Sequence, residues 1–362
     1  MKKQGLIAMS GGVDSSVAAL LSQKAGFDCI GVTLKLFSAA EDLQQGERKR
    51  SCCSLADVED ARYVAYQLNM PYYVLNFSAA FADQVIRKFV ETYEKGETPN
   101  PCIDCNRYIK FDGLLYRAKQ FAIEYLVTGH YARIEPQGSR LLLKKARDPK
   151  KDQSYVLYTM TQEQLAHTVF PLGDLTKEEV RAIAVEAGLV NARKQESQDI
   201  CFVPGGDYAR FIEEYRGKPA APGNILDETG LLLGQHQGLI RYTIGQRRGL
   251  GLSFPEPRYV SAKSTADNTL TLGKEGALYT KSLYADTLNL IAWDEPEKPQ
   301  RVTVKTRYLQ AEQTAKALQV EADRIRVDFD KPQRAITPGQ AVVLYDGDVV
   351  LGGGTILSAG TR

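Results

Sequence analysis

The stretch Ala8–Ser16, AMSGGVDSS, lies between an apolar run that is typical of a buried strand and a segment with the periodicity of a helix. A strand, a glycine-rich turn and a helix N-terminus place successive backbone N–H groups around an anion, and the helix dipole adds to the attraction. Gly11 and Gly12 permit backbone angles that other residues avoid, and they leave room for a phosphate group. The stretch therefore predicts a phosphate-binding loop rather than a simple turn with Asp14 as a helix cap.

The residues beside the glycines indicate the type of loop. Ser10, Ser15 and Ser16 supply hydroxyl donors, and no Lys-Ser or Lys-Thr pair follows them, unlike in a Walker A loop. The pattern S-G-G-x-D-S predicts a loop that holds a pyrophosphate leaving as one unit. Asp14 is placed to hold Mg²⁺ or to order the loop.

This pattern resembles the signature of the ATP-pyrophosphatase (PP-loop) superfamily. The resemblance implies adenylation: a carbonyl oxygen attacks the α-phosphate of ATP, pyrophosphate leaves, and a nucleophile later displaces AMP. The superfamily includes amide-forming enzymes and tRNA-modifying enzymes, so the loop indicates the activation step and leaves the substrate open.

Strand and helix signals alternate outward from the loop through the first half of the chain. Strands alternating with helices of this length predict βαβ units and a parallel, doubly wound sheet. The predicted strands are Gly5–Met9, Cys29–Phe37, Tyr72–Phe77 and Glu124–His130, and the predicted helices are Val13–Gly26, Ser54–Asn69 with Ser54 as cap, Ser78–Gly96 and Asn106–Phe121.

The pattern changes near Cys201. From about Gly223 onward, Gly and Pro separate short runs of strand type, which predicts one or two small barrels or sandwiches. We place the domain boundaries near residues 206 and 278, which gives segments 1–206, 207–277 and 278–362.

Charge and composition exclude some classes of protein. The chain has 46 Lys and Arg against 44 Asp and Glu, a net charge of +2, so it carries no general basic coat for nucleic acid. Local basic runs remain, at Arg48–Arg50 and between Arg140 and Lys151. No uncharged apolar run approaches the roughly 20 residues that a membrane helix needs. The lysines and apolar run at the N-terminus end at Ser10-Gly11-Gly12 before a signal peptide can form, so we expect a cytoplasmic protein with reduced thiols.

Two cysteines lie in the stretch TPNPCIDCNRYIKF, as Cys102 and Cys105, and a third, Cys201, lies in KQESQDICFVPGG. The C-x-x-C spacing alone fits half a zinc site, a redox pair, two iron–sulfur ligands, or a nucleophile with a helper. We expect the pair to open a helix, where a thiolate is stabilised. Together with an adenylating loop, the three cysteines suggest sulfur transfer through a persulfide or through a disulfide between two of them. Cys29, Cys52 and Cys53 are interpreted as packing or incidental thiols.

Seven motifs in order resemble the bacterial tRNA-specific 2-thiouridylase (MnmA) family over Ser10 to about Ile356. They are AMSGGVDSS, TPNPCIDCNRYIKF, VTGHYAR, KDQSYVLY, SQDICFVPGGDY, GQHQGLIRYTIGQRRGLGL and AITPGQAVVLYDGDVVLGGGTI. The fold expected from the resemblance is an α/β doubly wound parallel sheet (PP-loop ATPase, Rossmann-like), followed by two small β-rich domains, the last a β-barrel. The reaction it implies begins with a wobble uridine that is flipped out of the anticodon loop. ATP adenylates its C2 oxygen, and sulfur from a persulfide replaces AMP.

The resemblance also assigns residues. Cys105 aligns with the family's nucleophile and Cys201 with its persulfide carrier, while Asp14 serves the adenylation. The implied ATP contacts are Ala8, Met9, Ser10, Gly11, Gly12, Val13, Asp14, Ser15, Leu34 and Gly129. The implied contacts to the target base are Asn100, Pro101 and Cys102, and those to the rest of the tRNA are His130, Lys151, Asp152, Gln153, Arg307, Tyr308 and Gln340.

Two positions depart from the family pattern. Some members carry Asp where this chain has Cys102, which puts the handling of protons near the base in doubt. Others carry Met where this chain has Leu34, a near-isosteric exchange of apolar side chains.

Three alternatives remain open at the level of sequence. Cys102, Cys105 and Cys201 resemble the ligands of a [4Fe–4S] cluster with an open iron, as in some tRNA thiolases of the superfamily. We favour the persulfide route because Asp, which the family tolerates at the Cys102 position, is a poor cluster ligand. The other two alternatives are a PP-loop synthetase acting on a small metabolite and an RNA-binding module with a metal knuckle.

The partners follow from the resemblance. They are tRNA, ATP with Mg²⁺, and a cysteine desulfurase that delivers persulfide sulfur directly or through relay proteins. Nothing in the sequence indicates an oligomeric state, and monomer is the default.

Overall fold

The computed structural model describes residues 2–37, 55–195, 200–293 and 298–360. The predicted cap Ser54, the basic run Arg48–Arg50, Cys52 and Cys53 lie outside these residues. The chain forms two compact units. The first contains Met1–Ile86, Pro101–Gly206 and Asp348–Leu351, and the second contains Arg87–Asn100, Asp207–Gly347 and Gly352–Arg362.

A five-stranded, fully parallel sheet lies at the centre of the first unit, in the order β3-β2-β1-β4-β7. The strand order reverses beside β1, so the carboxyl ends of β1 and β4 form the switch point at which such sheets bind ligands. The predicted doubly wound parallel sheet is confirmed. Its strands are β1 (Gln4–Ala8), β2 (Asp28–Lys35), β3 (Tyr72–Asn76), β4 (Tyr125–Thr128) and β7 (Thr168–Val169).

The core of this unit explains why β1 is central. β1 pairs on one side with β2 and on the other with β4, and Leu6 and Ile7, which point to opposite faces of the sheet, are both fully buried. Met9, Val13 and Val17 continue the same apolar cluster into the first helix. A strand buried on both faces has a continuous apolar sequence, and GLIAM at the start of the chain has this property.

The helices agree with the predicted pattern and differ in detail. Two helical stretches contain segments with π-helical hydrogen bonding, labelled α4 and α7 below. The helix predicted from Asn106 in fact begins at Pro101, since proline suits the first helical position. The helices are α1 (Val13–Lys24), α2 (Leu55–Gln67), α3 (Ser78–Phe81), α4 (Ala82–Arg87), α5 (Lys88–Glu94), α6 (Pro101–Asp104), α7 (Cys105–Leu114), α8 (Leu115–Gln120), α9 (Ser154–Leu157), α10 (Gln162–Ala166), α11 (Lys177–Glu186) and α12 (Tyr208–Arg216).

A hairpin of β5 (Ala132–Gln137) and β6 (Arg140–Lys145) follows β4 in the first unit. Arg133 and Lys144 on this hairpin both pair with Asp348, at 2.7 and 3.2 Å. Several residues of the basic run between Arg140 and Lys151 therefore belong to a folded hairpin and its ion pairs.

The second unit is rich in β-structure, as the sequence predicts. Four strands pair in the order β10-β11-β8-β9 around an apolar cluster that includes Ile225, Val260 and Leu272. Six further strands, in the order β12-β15-β14-β13-β16-β17, close into a barrel through the pairing of β12 with β17, which confirms the predicted C-terminal β-barrel. The strands are β8 (Gly223–Asp227), β9 (Leu232–His236), β10 (Tyr259–Ser264), β11 (Thr269–Gly273), β12 (Tyr279–Leu290), β13 (Gln300–Lys305), β14 (Gln313–Glu321), β15 (Arg324–Arg334), β16 (Ala341–Asp346) and β17 (Val349–Ala359).

No helix in the described part of the chain has the length and apolar character to cross a membrane.

Truncation of a buried side chain of the parallel sheet tests this packing. Leu126 on β4 is fully buried, so we predict that Leu126→Ala lowers the free energy of unfolding by about 3 kcal/mol. The control Leu55→Ala truncates a leucine that is 82% exposed and should cost less than about 0.5 kcal/mol. Equal losses for the two variants in urea unfolding would contradict the packing described here.

Candidate active site

The loop between β1 and α1 has the geometry that its sequence predicts. Gly11 has φ +74°, and Gly12 is the extended residue before the helix begins at Val13. A Cβ on Gly11 would lie 2.2 Å from the backbone oxygen of Asp57, so only glycine fits. The Ser15 hydroxyl donates to the Gly12 carbonyl at 3.0 Å and accepts from the backbone N–H of Ser10 at 3.2 Å, which closes the turn.

Strand β2 fixes the start of this loop. The backbone N–H of Met9 donates to the Val32 carbonyl at 2.8 Å, and the Thr33 hydroxyl donates to the Met9 carbonyl at 2.6 Å. Leu34, the next residue of β2, is half-buried near the carboxyl end of that strand. The predicted ATP positions on β1, the loop and β2 therefore lie at neighbouring strand ends.

Gly129 lies directly against the loop. Strand β4 ends at Thr128, so Gly129 belongs to the following turn rather than to the predicted strand. A Cβ on this glycine would lie 2.8 Å from the Ser15 nitrogen and from the Asp14 carbonyl carbon. The structure therefore brings Gly129 together with Asp14 and Ser15, across the switch point of the sheet.

The Asp14 carboxylate is held by two side chains that the sequence did not single out. Its Oδ1 atom accepts hydrogen bonds from Lys177 Nζ at 2.6 Å and from the Tyr131 hydroxyl at 2.7 Å. Lys177 is buried, and its backbone N–H donates to Asp148. A buried lysine needs a charged partner, and Asp14 provides one. The arrangement fixes Asp14 at the N-terminus of α1.

The cysteines lie in two segments of the first unit. Cys102 is exposed in the first turn of the helix that starts at Pro101, and Cys105 is half-buried where α7 begins. Cys201 is also half-buried, and its neighbour Phe202 packs edge-on against Phe81 with ring centroids 5.7 Å apart.

Metal ligation by the three cysteines has no geometric support. Within residues 2–37, 55–195, 200–293 and 298–360, no three His, Cys, Asp or Glu side chains are grouped so that they could hold a metal ion. The cluster alternative therefore receives no support from the arrangement of its proposed ligands. Asp14, beside the glycine-rich turn, supplies the carboxylate oxygen that Mg²⁺ prefers, so the loop fits Mg²⁺ bound together with phosphate groups.

His130 is buried between the Phe111 and Phe170 rings, with centroids 5.8 and 5.9 Å away. Its Nε2 lies 3.4 Å from Lys110 Nζ, and its Nδ1 lies 2.7 Å from the Thr128 hydroxyl. Because a lysine ammonium only donates, we assign the proton to Nδ1. Burial, and then the Lys110 charge, lower the pKa of His130 well below its usual value, so the ring is neutral at pH 7.

Two of the three residues predicted to contact tRNA at positions 151–153 make hydrogen bonds within the protein. Asp152 accepts from the backbone N–H groups of Ala146 and Ser154 and from the Ser154 hydroxyl. Gln153 exchanges two 2.9 Å hydrogen bonds with the backbone of Tyr131. Asp152 and Gln153 therefore order the loop after β6, and Lys151 lies half-buried beside them.

Two predicted tRNA contacts of the second unit also make internal hydrogen bonds. Arg307 donates to the Thr337 hydroxyl at 2.8 Å and to the Ala335 carbonyl at 3.0 Å. Gln340 donates to the carbonyls of Thr98 and Pro99 at 2.9 and 3.2 Å. Gln340 thus holds the backbone that leads into Asn100, and Tyr308 lies beside Lys305 Nζ, 5.8 Å from its ring centre.

Comparison with known proteins identifies the family. Residues 3–205 match the family model described as the tRNA methyl transferase HUP domain. Residues 209–274 match its PRC-barrel domain, and residues 280–356 match the aminomethyltransferase beta-barrel domain. The chain is 49% identical over 360 residues to a protein of Acetivibrio thermocellus, covering 98% of this chain and 99% of that one. It is 52% identical over 355 residues to a protein of Moorella thermoacetica, with the same coverage, and both relatives are named tRNA-specific 2-thiouridylase MnmA.

The chain belongs to the MnmA family. The resemblance drawn from seven motifs is therefore confirmed, and so is the order of a parallel sheet followed by two β-rich regions. The roles of individual site residues stay predictions.

Within this MnmA family chain, sequence reasoning missed Tyr131 and Lys177. Tyr131 stands in the quoted motif VTGHYAR, so its position beside His130 was a usable signal. Lys177 had a weaker one: it follows Thr176, which forms a capping box with Glu179 at the start of α11. That signal predicts a helix start, and it does not reveal that the lysine meets Asp14.

The buried imidazole of His130 predicts a pH dependence of stability. Unfolded histidine binds a proton near pH 6.5, whereas the lowered pKa of folded His130 keeps it neutral. Stability is therefore unaffected well above pH 6.5 and falls below it, by at most about 1.4 kcal/mol per pH unit for this group. We predict a shallower decline between pH 6.5 and 5 for His130→Gln, measured by urea unfolding. His236→Gln is the control, and it should retain the part of the slope that His130 contributes.

If the decline in stability between pH 6.5 and 5 is unchanged in His130→Gln, the prediction is wrong. That result would mean that His130 binds a proton over the same pH range in the folded and the unfolded protein.

Proposed function

We propose that this chain is an ATP-dependent tRNA uridine 2-sulfurtransferase that thiolates the wobble uridine. The observation that carries the proposal is a complete S-G-G-x-D-S loop at the switch point of the sheet, in a chain related over its whole length to proteins named tRNA-specific 2-thiouridylase. Adenylation alone would fit many substrates. Two half-buried cysteines, Cys105 and Cys201, in the same unit as such a loop favour sulfur as the second reactant.

The first step activates the base. The C2 oxygen of the flipped uridine attacks the α-phosphorus of ATP, the bond to the bridging oxygen breaks, and pyrophosphate leaves. The N–H groups of the Gly11–Ser15 turn, at the N-terminus of α1, stabilise the departing negative charge. Mg²⁺ bound at Asp14 with the phosphates would supply further charge neutralisation. Lys177 and Tyr131 keep the Asp14 carboxylate oriented for that role.

The second step transfers sulfur. The terminal sulfur of a Cys201 persulfide attacks C2, the C2–O bond breaks, and AMP leaves with the former uridine oxygen. The Cys105 thiolate then attacks Cys201 Sγ, forming a Cys105–Cys201 disulfide and releasing 2-thiouridine. Two electrons from a thiol reductant restore both cysteines, and a cysteine desulfurase or a relay protein supplies the next persulfide.

The remaining assignments belong to the same proposal. Segment 1–206 carries the chemistry, and segments 207–277 and 278–362 serve tRNA binding. Asn100, Pro101 and Cys102 meet the target base, while the internal bonds of Arg307 and Gln340 favour a supporting role for these two side chains. The thiolation reaction would take place in the cytoplasm, where tRNA, ATP and reduced thiols occur together.

A PP-loop synthetase acting on a small metabolite is the rival activity. ATP–pyrophosphate exchange separates the two proposals. Exchange by the thiolase requires tRNA, whereas exchange that responds to a small carboxylic acid and ignores tRNA would refute the thiolase.

Removal of the Asp14 charge tests the activation step. We predict that Asp14→Asn lowers the thiolation rate roughly 100-fold or more, since it removes the carboxylate proposed to hold Mg²⁺ beside the transferring phosphates, and leaves tRNA affinity within about twofold. The matched control Asp83→Asn alters an exposed aspartate of α4 and should behave as wild type. Thiolation is measured by mass spectrometry of nucleosides and tRNA binding by filter retention. Normal thiolation by Asp14→Asn would refute the assignment.

Substitution of the cysteines tests the sulfur step. We predict that Cys105→Ser and Cys201→Ser abolish thiolation yet retain tRNA-dependent ATP–pyrophosphate exchange, because adenylation precedes sulfur transfer. Cys102→Asp, which introduces the residue found in some family members, should retain activity. Inactive Cys102→Asp together with about four irons per anaerobically purified chain would favour the cluster route instead.

A further inference from the structure

Two side chains that follow α11 donate hydrogen bonds to a backbone carbonyl of the phosphate loop. Asn191 Nδ2 donates to the Gly11 carbonyl at 2.9 Å, and Lys194 Nζ donates to the same oxygen at 3.2 Å. Asn191 is 4% exposed, and its Nδ2 also lies 2.9 Å from the Ser16 hydroxyl. The Gly11 carbonyl therefore accepts from two donors that lie 180 and 183 residues away in sequence.

Each N–H donor of the Lys194 ammonium has a hydrogen-bond acceptor in this position. Its three N–H donors have three acceptors: the Gly11 carbonyl, Asp57 Oδ1 at 2.6 Å and Asp60 Oδ2 at 2.5 Å. Burial opposes the charge, but the two carboxylates outweigh it and raise the pKa of Lys194, so the group stays protonated. Asp57 also blocks the Cβ position of Gly11 with its backbone oxygen. Lys194 thus ties the first turn of α2 to the phosphate loop.

The two hydrogen bonds fix a peptide plane. The described peptide bonds are all trans, and in a trans peptide the C=O and the following N–H point in opposite directions. A Gly11 carbonyl directed at Asn191 and Lys194 therefore directs the Gly12 N–H in the opposite direction, away from these two side chains. That N–H belongs to the turn before α1, where an anion binds.

We infer that Asn191 and Lys194 are positioning residues that orient the Gly11–Gly12 peptide for the pyrophosphate group of ATP. They act through the Gly11 carbonyl and do not touch the nucleotide. The inference rests on the proposed function only in taking ATP as the ligand of this loop. It adds that residues 191–194, which follow α11, carry part of the phosphate site, which neither the motif nor the family resemblance assigns.

A matched control separates orientation of the Gly11 carbonyl from simple anchoring of the segment after α11. Gln67 on α2 donates to the Gly188 carbonyl at 3.0 Å and accepts from the Val190 N–H at 3.4 Å. It holds the same segment and makes no contact with Gly11. Gln67→Ala therefore loosens the segment without releasing the carbonyl.

The experiment measures the affinity of the purified full-length protein for pyrophosphate with Mg²⁺, and for adenosine, by calorimetry. We expect Asn191→Leu and Lys194→Met each to weaken pyrophosphate binding about tenfold, as expected for loss of one hydrogen bond at a charged site, and to leave adenosine binding within twofold. Lys194→Gln keeps a donor for the carbonyl and should recover most of the loss. Gln67→Ala should leave both affinities within twofold.

Kinetics provide a second readout. For Lys194→Met, kcat/KM for ATP should fall about tenfold, while the KM for tRNA stays within about twofold. Equal weakening of pyrophosphate and adenosine binding, or an equal effect of Gln67→Ala, would overturn the inference in favour of a structural role. Unchanged pyrophosphate affinity in Asn191→Leu and Lys194→Met would overturn it as well.

The outcomes separate this inference from the proposed function. Wild-type protein that thiolates tRNA while the variants bind pyrophosphate normally refutes the inference alone. Wild-type protein that binds pyrophosphate, with the expected losses in the variants, but does not thiolate tRNA refutes the function alone. Wild-type protein that neither binds pyrophosphate nor thiolates tRNA refutes both.

Discussion

The peptide between Gly11 and Gly12 has to turn at a positive φ immediately after the buried central strand, and the space around it is already filled. Asp57 occupies the position of a Gly11 side chain, and Gly129 approaches the backbone of Asp14 and Ser15 from β4. The shape of the turn is therefore set by its neighbours in the protein. A rigid, preformed array of N–H groups stabilises developing charge without reorganising during the reaction, which is what an adenylating enzyme requires.

The surroundings of the loop convert this backbone geometry into a charged site. Asp14 brings a carboxylate to the N-terminus of α1, and Lys177 and Tyr131 hold it in one orientation. At the Gly11 carbonyl, Lys194 is neutralised by Asp57 and Asp60, so it directs a hydrogen bond and adds no net positive charge. Mg²⁺ bound with the phosphates would supply positive charge there, in addition to the backbone dipoles.

Local signals in the sequence were sufficient to predict the parallel sheet and the phosphate loop. They were insufficient to predict the distant side chains that contact the loop. GLIAM, followed by SGG and a helical period, predicts β1, the turn and α1 because each depends on neighbours in sequence. Strand β7 has only two residues, which is too short for a periodic signal. Lys177, Asn191 and Lys194 lie more than 160 residues from their partners on the loop, and nothing in their immediate sequence indicates a contact over that distance. The start of the Cys102 helix at Pro101 was available from the preference of proline for the first helical turn, but the predicted helix began too late.

The central claim is that the C2 oxygen of the uridine attacks the α-phosphate of ATP and leaves with AMP. The most direct test supplies tRNA carrying ¹⁸O at C2 of the wobble uridine and analyses the AMP by mass spectrometry after one turnover. The account predicts AMP that contains the label, in an amount equal to the 2-thiouridine formed. Unlabelled AMP, or ADP and phosphate in place of AMP and pyrophosphate, would contradict it.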